Sequence, residues 1–254
     1  MPSSLASTAT AADPVRPRQG AKSGEPARTL LPRQRRKEAR PQELLDAALA
    51  LFAHKGYAAT RTDEVAARAG VSKGTLYLYY PSKEELFKAV VRHNLSALIA
   101  EGAGLVGGFA GSTSELLHFL LTTWWERVGS TAAAGLHRIV FAEMHNFPEL
   151  AAFYNDEVLR PADRLFSATL RRGVARGEFR ALPEHEVAHA LMAPLIFMTL
   201  CQQSFRAVQR RLPATTPQAL IRTHLDLVLH GLQVRDPAPA GTAPKKVRQP
   251  KARP

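Results

Sequence analysis

The segment from Thr62 to Leu86, TDEVAARAGVSKGTLYLYYPSKEEL, constrains the fold more than any other part of the chain. Val65, Ala66 and Ala69 make one short apolar helical face, and the small alanines allow a second helix to cross closely. Gly70 ends this helix, because a glycine there can take the left-handed backbone that helix termini favour, and Val71 supplies an apolar contact just beyond. Ser72 then restarts the chain as an N-cap ahead of Lys73 and Gly74. In the new helix Leu76 and Tyr80 lie i and i+4 on a face expected to pack inward, whereas Lys73 and Tyr77 share a face expected to look out. Pro81 stops it, and Ser82 with Glu85 has the spacing of a capping box that opens a longer helix through Leu86, Phe87, Val90 and Val91.

Two short helices, a tight turn and a third helix form a unit that can present one helix to a DNA groove. An earlier stripe, Leu44, Leu45, Ala48, Leu51 and Phe52, repeats at three and four residues and predicts the amphipathic helix that covers the pair, closed by Gly56. The ordered series PQELLDAALALFAHKGYAATRTDEVAARAGVSKGTLYLYYPSKEELF, with Phe52, Gly56, Tyr57, Thr62, Ala66, Ala69 to Ser72, Gly74, Leu76, Tyr77, Tyr79, Lys83 and Leu86, resembles the DNA-binding domain of the TetR family of transcriptional regulators. The resemblance implies that Thr62, Tyr79 and Lys83 hold phosphates together with the N–H groups after Ser72. It places Lys73, Thr75 and Tyr77 toward the major groove, where lysine can donate to guanine and the threonine methyl can touch thymine. Gly74 would permit close approach.

Charge has to be located before it is interpreted. The chain of 254 residues carries +12. Residues 1–40 hold nine basic and three acidic side chains, and residues 235–254 hold six and one, so only +1 remains for everything between. Both termini are rich in Pro, Ala, Gly and Ser and lack periodicity, which predicts disordered basic tails. RQRRKEAR, ending at Arg40, has the character of an arm that lies along phosphates or enters a minor groove, with a solubilising tail as the other reading. The predicted divisions are a basic arm at 1–38, a DNA-binding domain at 39–88, a ligand-binding and dimerisation domain at 89–234 and a basic tail at 235–254.

Apolar residues make up 45% of the chain, enough for a packed core. Beyond Leu86 no strand alternation stands out, and helices are predicted from about Ser82 to Ala100, from Ser112 through LLHFLLTTWWERV, and over 131–145, 148–175, 183–205 and 217–232. Gly102, Gly104, Gly107, Gly108 and Gly111 predict a flexible stretch, and Pro161 a bend. The total is an all-α chain of about nine helices. FPELAAFYNDEVLRPADRLFSATLRRGVARGEFR resembles TetR regulatory domains, which implies a small-molecule effector and a homodimer on double-stranded operator DNA. Trp124, Trp125, His137, Phe141, Met144, His145, Phe153 and Tyr154 are candidate pocket residues. Val187, Leu191, Leu195 and Met198, with Leu220, His224 and Leu227, are the candidate dimer stripes.

His185-Glu186-Val187-Ala188-His189 fits H-E-x-x-H, whose spacing places two imidazoles on one helical face for zinc. A zinc hydrolase needs a third protein ligand, and ALMAPLIFMTL follows instead. This enzyme reading and a basic-tailed architectural DNA-binding protein are the alternatives to a ligand-released repressor. No catalytic arrangement, resident metal or cofactor is predicted. The apolar run 187–201 is too short for a bilayer, and a lone Cys201 excludes an internal disulfide, so a cytoplasmic, nucleoid-associated protein is expected.

Overall fold

The computed structural model describes residues 32–205 and 216–233, with side chains from 40 to 202 and from 216 to 233; the predicted C-terminal tail and most of the N-terminal arm lie outside them. The described residues contain nine helices and one isolated antiparallel bridge, Phe179 with Gln233. From Ala39 onward they belong to one compact unit. Helix α1 is Pro32–Lys55, α2 is Thr62–Arg68 and α3 is Lys73–Tyr79. Helix α4 runs Lys83–Val91, widens into a π turn at Arg92–Ser96 and continues as Ala97–Leu105. Helix α5 is Thr113–Trp124 with a π turn at Trp125–Gly129; α6 is Ala134–Glu143, followed by a 3-10 turn at Met144–Asn146. Helix α7 joins Pro148–Tyr154 to Arg160–Ala175 through a π turn at Asn155–Leu159, and α8, Glu184–Phe205, and α9, Pro217–Leu232, complete the set.

Three local differences from the sequence reading have physical causes. Helix α1 starts at Pro32, inside the stretch assigned to the arm, because Gln, Arg, Lys, Glu and Ala are good helix formers and proline is tolerated in a first turn. Helix α4 does not stop at Ala100 but carries Gly102 and Gly104 to Leu105. A Cβ on Gly102 would lie 3.1 Å from Leu120 on α5 and from Leu165 on α7, so glycine here permits close helix crossing rather than a break. The loop that follows is fastened: Arg172 donates to the Phe109 and Gly111 carbonyls at 2.8 and 2.9 Å and to the Thr113 hydroxyl at 2.7 Å. Near Pro161, α7 widens just before the proline, which has no N–H to give to the helix ladder.

The core is continuous from the first helices to the last. Phe52, Tyr57 and Phe87 form an aromatic group with ring centroids 5.1 to 5.8 Å apart, and Phe147 meets Tyr57 edge-on at 4.8 Å. Helices α5, α6, α7 and α8 pack around Leu116, Leu121, Leu136, Ile139, Leu170 and Leu191, all essentially without exposure.

Candidate nucleic-acid interface and regulatory cavity

The turn between α2 and α3 is built as its residues require. Gly70 has φ +67° and its N–H donates to the Ala67 carbonyl, while the Val71 N–H reaches back to Ala66 at 2.9 Å. This pair of bonds is a Schellman motif, which closes the orphan carbonyls of α2 and turns the chain sharply. Ser72 accepts from the Thr75 N–H at 3.1 Å and hydrogen-bonds the Thr75 hydroxyl at 2.8 Å. Ser82 accepts from the Glu85 N–H at 3.0 Å, but the Glu85 carboxylate turns to Lys88 at 3.1 Å instead of closing the reciprocal half of a capping box. Both halves are present at Ser112 and Glu115.

Helix α3 is held by Leu76, which is fully buried, and presents the opposite side to solvent. Lys73, Gly74 and Tyr77 are exposed, Thr75 is half-buried, and the Lys73 ammonium stands 5.9 Å above the Tyr77 ring. Thr62, at the start of α2, hydrogen-bonds the Tyr77 hydroxyl at 2.9 Å and so fixes where that ring points. Tyr79 is half-buried beside this face, and Arg40 is half-buried on α1. Among the described residues no contact explains Gly74: the nearest atom to a Cβ there is the Ser72 hydroxyl, at 3.8 Å. A glycine inside a helix costs about 1 kcal/mol relative to alanine. Leu78, 85% exposed, was not among the sequence candidates. Its signal was an apolar residue out of phase with the buried Leu76 on a helix this short.

Lys83, a phosphate candidate by resemblance, is engaged within the chain. Its ammonium donates to the carbonyls of Tyr57, Ala58 and Thr60 at 3.0, 3.2 and 3.2 Å and lies 4.5 Å from the centre of the Tyr57 ring. Three N–H donors meet three carbonyls, so the lysine is a clamp on the loop between α1 and α2. Burial holds its pKa below the usual lysine range, and the Glu143 carboxylate opposes that shift. Glu143 takes the other polarity of the same loop, accepting from the Tyr57 and Ala58 N–H groups at 3.0 and 2.7 Å. Gly56 is required at the bend by its φ of +87°, and a Cβ there would also displace this carboxylate. From the same α6, Arg138 donates to the Ala53 carbonyl at 2.7 Å, and Gly135 lies so close to Ala53 that a Cβ would approach its Cβ to 2.7 Å.

Replacing Glu143 with Gln substitutes an N–H donor for one acceptor facing an N–H. The expected result is a loss of about 1 kcal/mol of stability, read from urea unfolding midpoints.

Above this contact lies a cavity of about 370 Å³, walled mainly by apolar side chains of α4 to α8. Trp124, His137, Phe141 and Tyr154 line it, as the sequence proposed. Trp125 and Met144 are buried elsewhere in the core, His145 is exposed, and Phe153 stacks instead beneath Lys88 and Arg92 at 5.7 and 4.9 Å. Leu95, Ile99, Val158, Leu165, Met192 and Ile196 were missed, since nothing in a single stripe says which distant helices will share a wall. Each of the three π turns contributes to the lining, through Leu95, Val128 and Val158. Such turns often mark functional sites.

The dimer stripes divide. Leu191 and Leu195 are buried within this chain, against α6 and α7, so they belong to its own core; Val187, Met198 and His224 are half-buried. Leu220 and Leu227 remain 45% and 69% exposed on α9, joined by Phe197 on α8 at 68%. In the H-E-x-x-H segment, His185 pairs with Asp163 at 2.8 Å, and His189 donates to the His185 carbonyl at 2.7 Å. Among the described residues no group of three ligating side chains is placed to hold a metal, and no helix is long and apolar enough to cross a membrane.

Comparison with known proteins places this architecture. Residues 44–90 match the family model of bacterial regulatory proteins of the tetR family, and residues 110–215 match the tetracyclin repressor-like C-terminal domain. The HTH-type transcriptional repressor KstR2 of Rhodococcus jostii is 29% identical over 202 residues, covering 77% of this chain and 92% of that protein. The transcriptional activator FasR of Mycolicibacterium smegmatis is 40% identical over 98 residues, 39% of this chain and 41% of its own. The fatty acid degradation regulator FadR of Bacillus halodurans superposes with a TM-score of 0.64 at 21% identity, covering 76% of this chain and 99% of that one. With an outward-facing α3 on the first matched segment and helices through the described part of the second, the chain belongs to the TetR family of bacterial transcriptional regulators.

Proposed function

We propose that the protein is a homodimeric repressor, acting in the cytoplasm on nucleoid DNA, that grips a two-fold operator through α3 and is released when a small apolar or aromatic effector enters the cavity. The observation that carries this reading is α3 itself, anchored by a buried Leu76 and offering Lys73, Tyr77 and Leu78 outward. Lys73 donates to a guanine edge, Thr75 and Leu78 meet thymine methyl groups, and Tyr77, fixed by Thr62, closes on the backbone or a base. Gly74 keeps the approach clear. Thr62, Ser72, Tyr79 and Arg40 position phosphates. The named repressor among the relatives supports repression.

The working division is a reader over 39–88 and a regulatory domain over 89–234, with α4 running through both. Helix α6 is the coupling element. One side of it supplies His137, Val140 and Phe141 to the cavity, and other positions hold Ala53, Tyr57 and Ala58. A ligand that shifts α6 moves the loop on which α2 rests. Two chains pair through Phe197, Leu220 and Leu227, which sets two copies of α3 about 34–36 Å apart, one DNA turn.

Selection of bound sequences from a random DNA pool tests the reading, and a two-fold motif is expected. On that operator Lys73→Ala is expected to weaken binding by about 1 to 3 kcal/mol while leaving random DNA nearly unchanged, and Tyr77→Ala to weaken it as well. Equal losses on operator and random DNA, measured by fluorescence anisotropy, would contradict sequence reading by α3.

A further inference from the structure

Among the described residues, two polar side chains in the wall of the cavity are left without a well-formed hydrogen bond, although the Ala134 carbonyl lies near the His137 ring. His137 is buried on α6, and its Nδ1 has no hydrogen-bond partner among the described residues. Tyr154 is only 2% exposed, its hydroxyl makes no hydrogen bond to the described residues, and burial pushes it above the usual tyrosine range. Both residues line the same space. Buried polar groups are ordinarily paired, so two that are not, on one cavity, mark where a ligand's own polar atom completes the set.

Charge on the walls narrows the ligand further. Glu101 and Asp163 line the cavity, and among the described residues no lysine or arginine does. The neighbouring Arg127 is already paired with Glu101 at 2.6 Å, and Asp163 meets His185 through Oδ2 at 2.8 Å while its buried Oδ1 has no hydrogen-bond partner among the described residues. His189, at the rim, is exposed. A carboxylate or phosphate entering here would be desolvated among apolar side chains and acidic groups with no free cation to meet it. An ammonium would meet the acids but would leave the phenol without an acceptor.

We infer that this cavity takes an uncharged, mainly apolar molecule bearing a carbonyl or hydroxyl oxygen, hydrogen-bonded by the Tyr154 hydroxyl and the His137 ring; this rests on reading the cavity as the effector site. The phenol donates to the ligand oxygen. The imidazole, neutral in its buried setting, donates to that oxygen or accepts from a ligand hydroxyl. Phe119, Phe141 and Leu159 line the cavity yet are 43%, 67% and 53% exposed, so its mouth is apolar and admits a molecule longer than the enclosed space.

The test uses the full chain and four probes with one hydrocarbon tail: decanone, decanol, decanoate and decylammonium. Binding is followed by tryptophan fluorescence, because Trp124 lies in the wall. The ketone and alcohol are expected to bind at least about tenfold more tightly than the two ions. Tyr154→Phe is expected to weaken decanone by about tenfold, or about 1.4 kcal/mol, without lowering the melting temperature of the empty protein, since the hydroxyl gives up no bond. Decanoate or decylammonium binding as well as decanone, no probe binding at all, or Tyr154→Phe leaving decanone affinity unchanged would each overturn the inference. A lower melting temperature for the empty variant would do the same, because it would reveal a structural partner for the hydroxyl. Operator release is scored separately. If decanone binds as expected but the operator stays bound, the regulatory reading fails and the ligand chemistry stands; release by decanoate does the reverse.

Discussion

Acidification from about pH 6.5 to pH 4 is expected to remove about 3 kcal/mol of stability through His137 alone. Burial pushes this imidazole from its ordinary 6.5 down to about 4, and the nearby Ala134 carbonyl opposes the shift. The folded chain therefore refuses a proton that the unfolded chain accepts throughout that interval. A depressed folded value means that the contribution is intact above 6.5 and is lost progressively as pH falls toward 4. Carboxylates titrate near the lower end of the same range, so the histidine is isolated by comparison with His137→Leu, which keeps an apolar side chain in the wall. Urea unfolding at several pH values should show wild type losing about 3 kcal/mol more than the variant across the interval. Parallel pH dependence of the two would mean that the ring is not held neutral. Below about pH 4 the two curves should become parallel, with the difference of about 3 kcal/mol retained.

Replacing Lys83 with Met is expected to cost about 2 to 4 kcal/mol and to weaken operator and random DNA alike. Methionine matches the length of the stem but leaves the carbonyls of Tyr57, Ala58 and Thr60 without their donors and removes the cation from the Tyr57 ring. Hydrogen bonds to a charged donor contribute about 1.5 to 3 kcal/mol each, reduced here because the site is partly wet. The loop would then be held only from the Glu143 side, and α2 with the Thr62–Tyr77 bond would lose its fixed seat. Calorimetric melting and anisotropy on two unrelated duplexes distinguish this from a phosphate contact. A lysine that held phosphate would lower affinity and leave the melting temperature in place.

What could be read from the sequence follows the range over which each interaction acts. Gly70, Val71 and Ser72 are legible because turn and cap chemistry is settled within a few residues, and the outward phase of Lys73 and Tyr77 follows from the inward phase of Leu76. The clamp that Lys83 makes within the chain was not legible. Its partners are carbonyls fixed by a loop more than twenty residues earlier, and the opposing carboxylate, Glu143, comes from a helix further still along the chain. The periodicity of Leu191 and Leu195 is correct as a helical stripe, yet periodicity says only that a face is covered. Three-dimensional packing decides that α6 and α7 cover it, while Phe197 and Leu227 are left bare. Gly102 shows the same limit, since a glycine that breaks a helix and one that lets two helices touch have the same letter.

The bulges at 92–96, 125–129 and 155–159 imply an unequal tolerance to insertion and deletion. Each adds about one surplus residue to an otherwise regular spiral, and removing it would rotate everything downstream by about 100°. After the bulge in α7, such a rotation would carry Leu165 and Phe166 off their inward register and pull Arg172 away from Phe109, Gly111 and Thr113. Lineages that reshape the chamber by side-chain exchange would therefore keep these lengths fixed, and changes of length would be confined to the connections between helices.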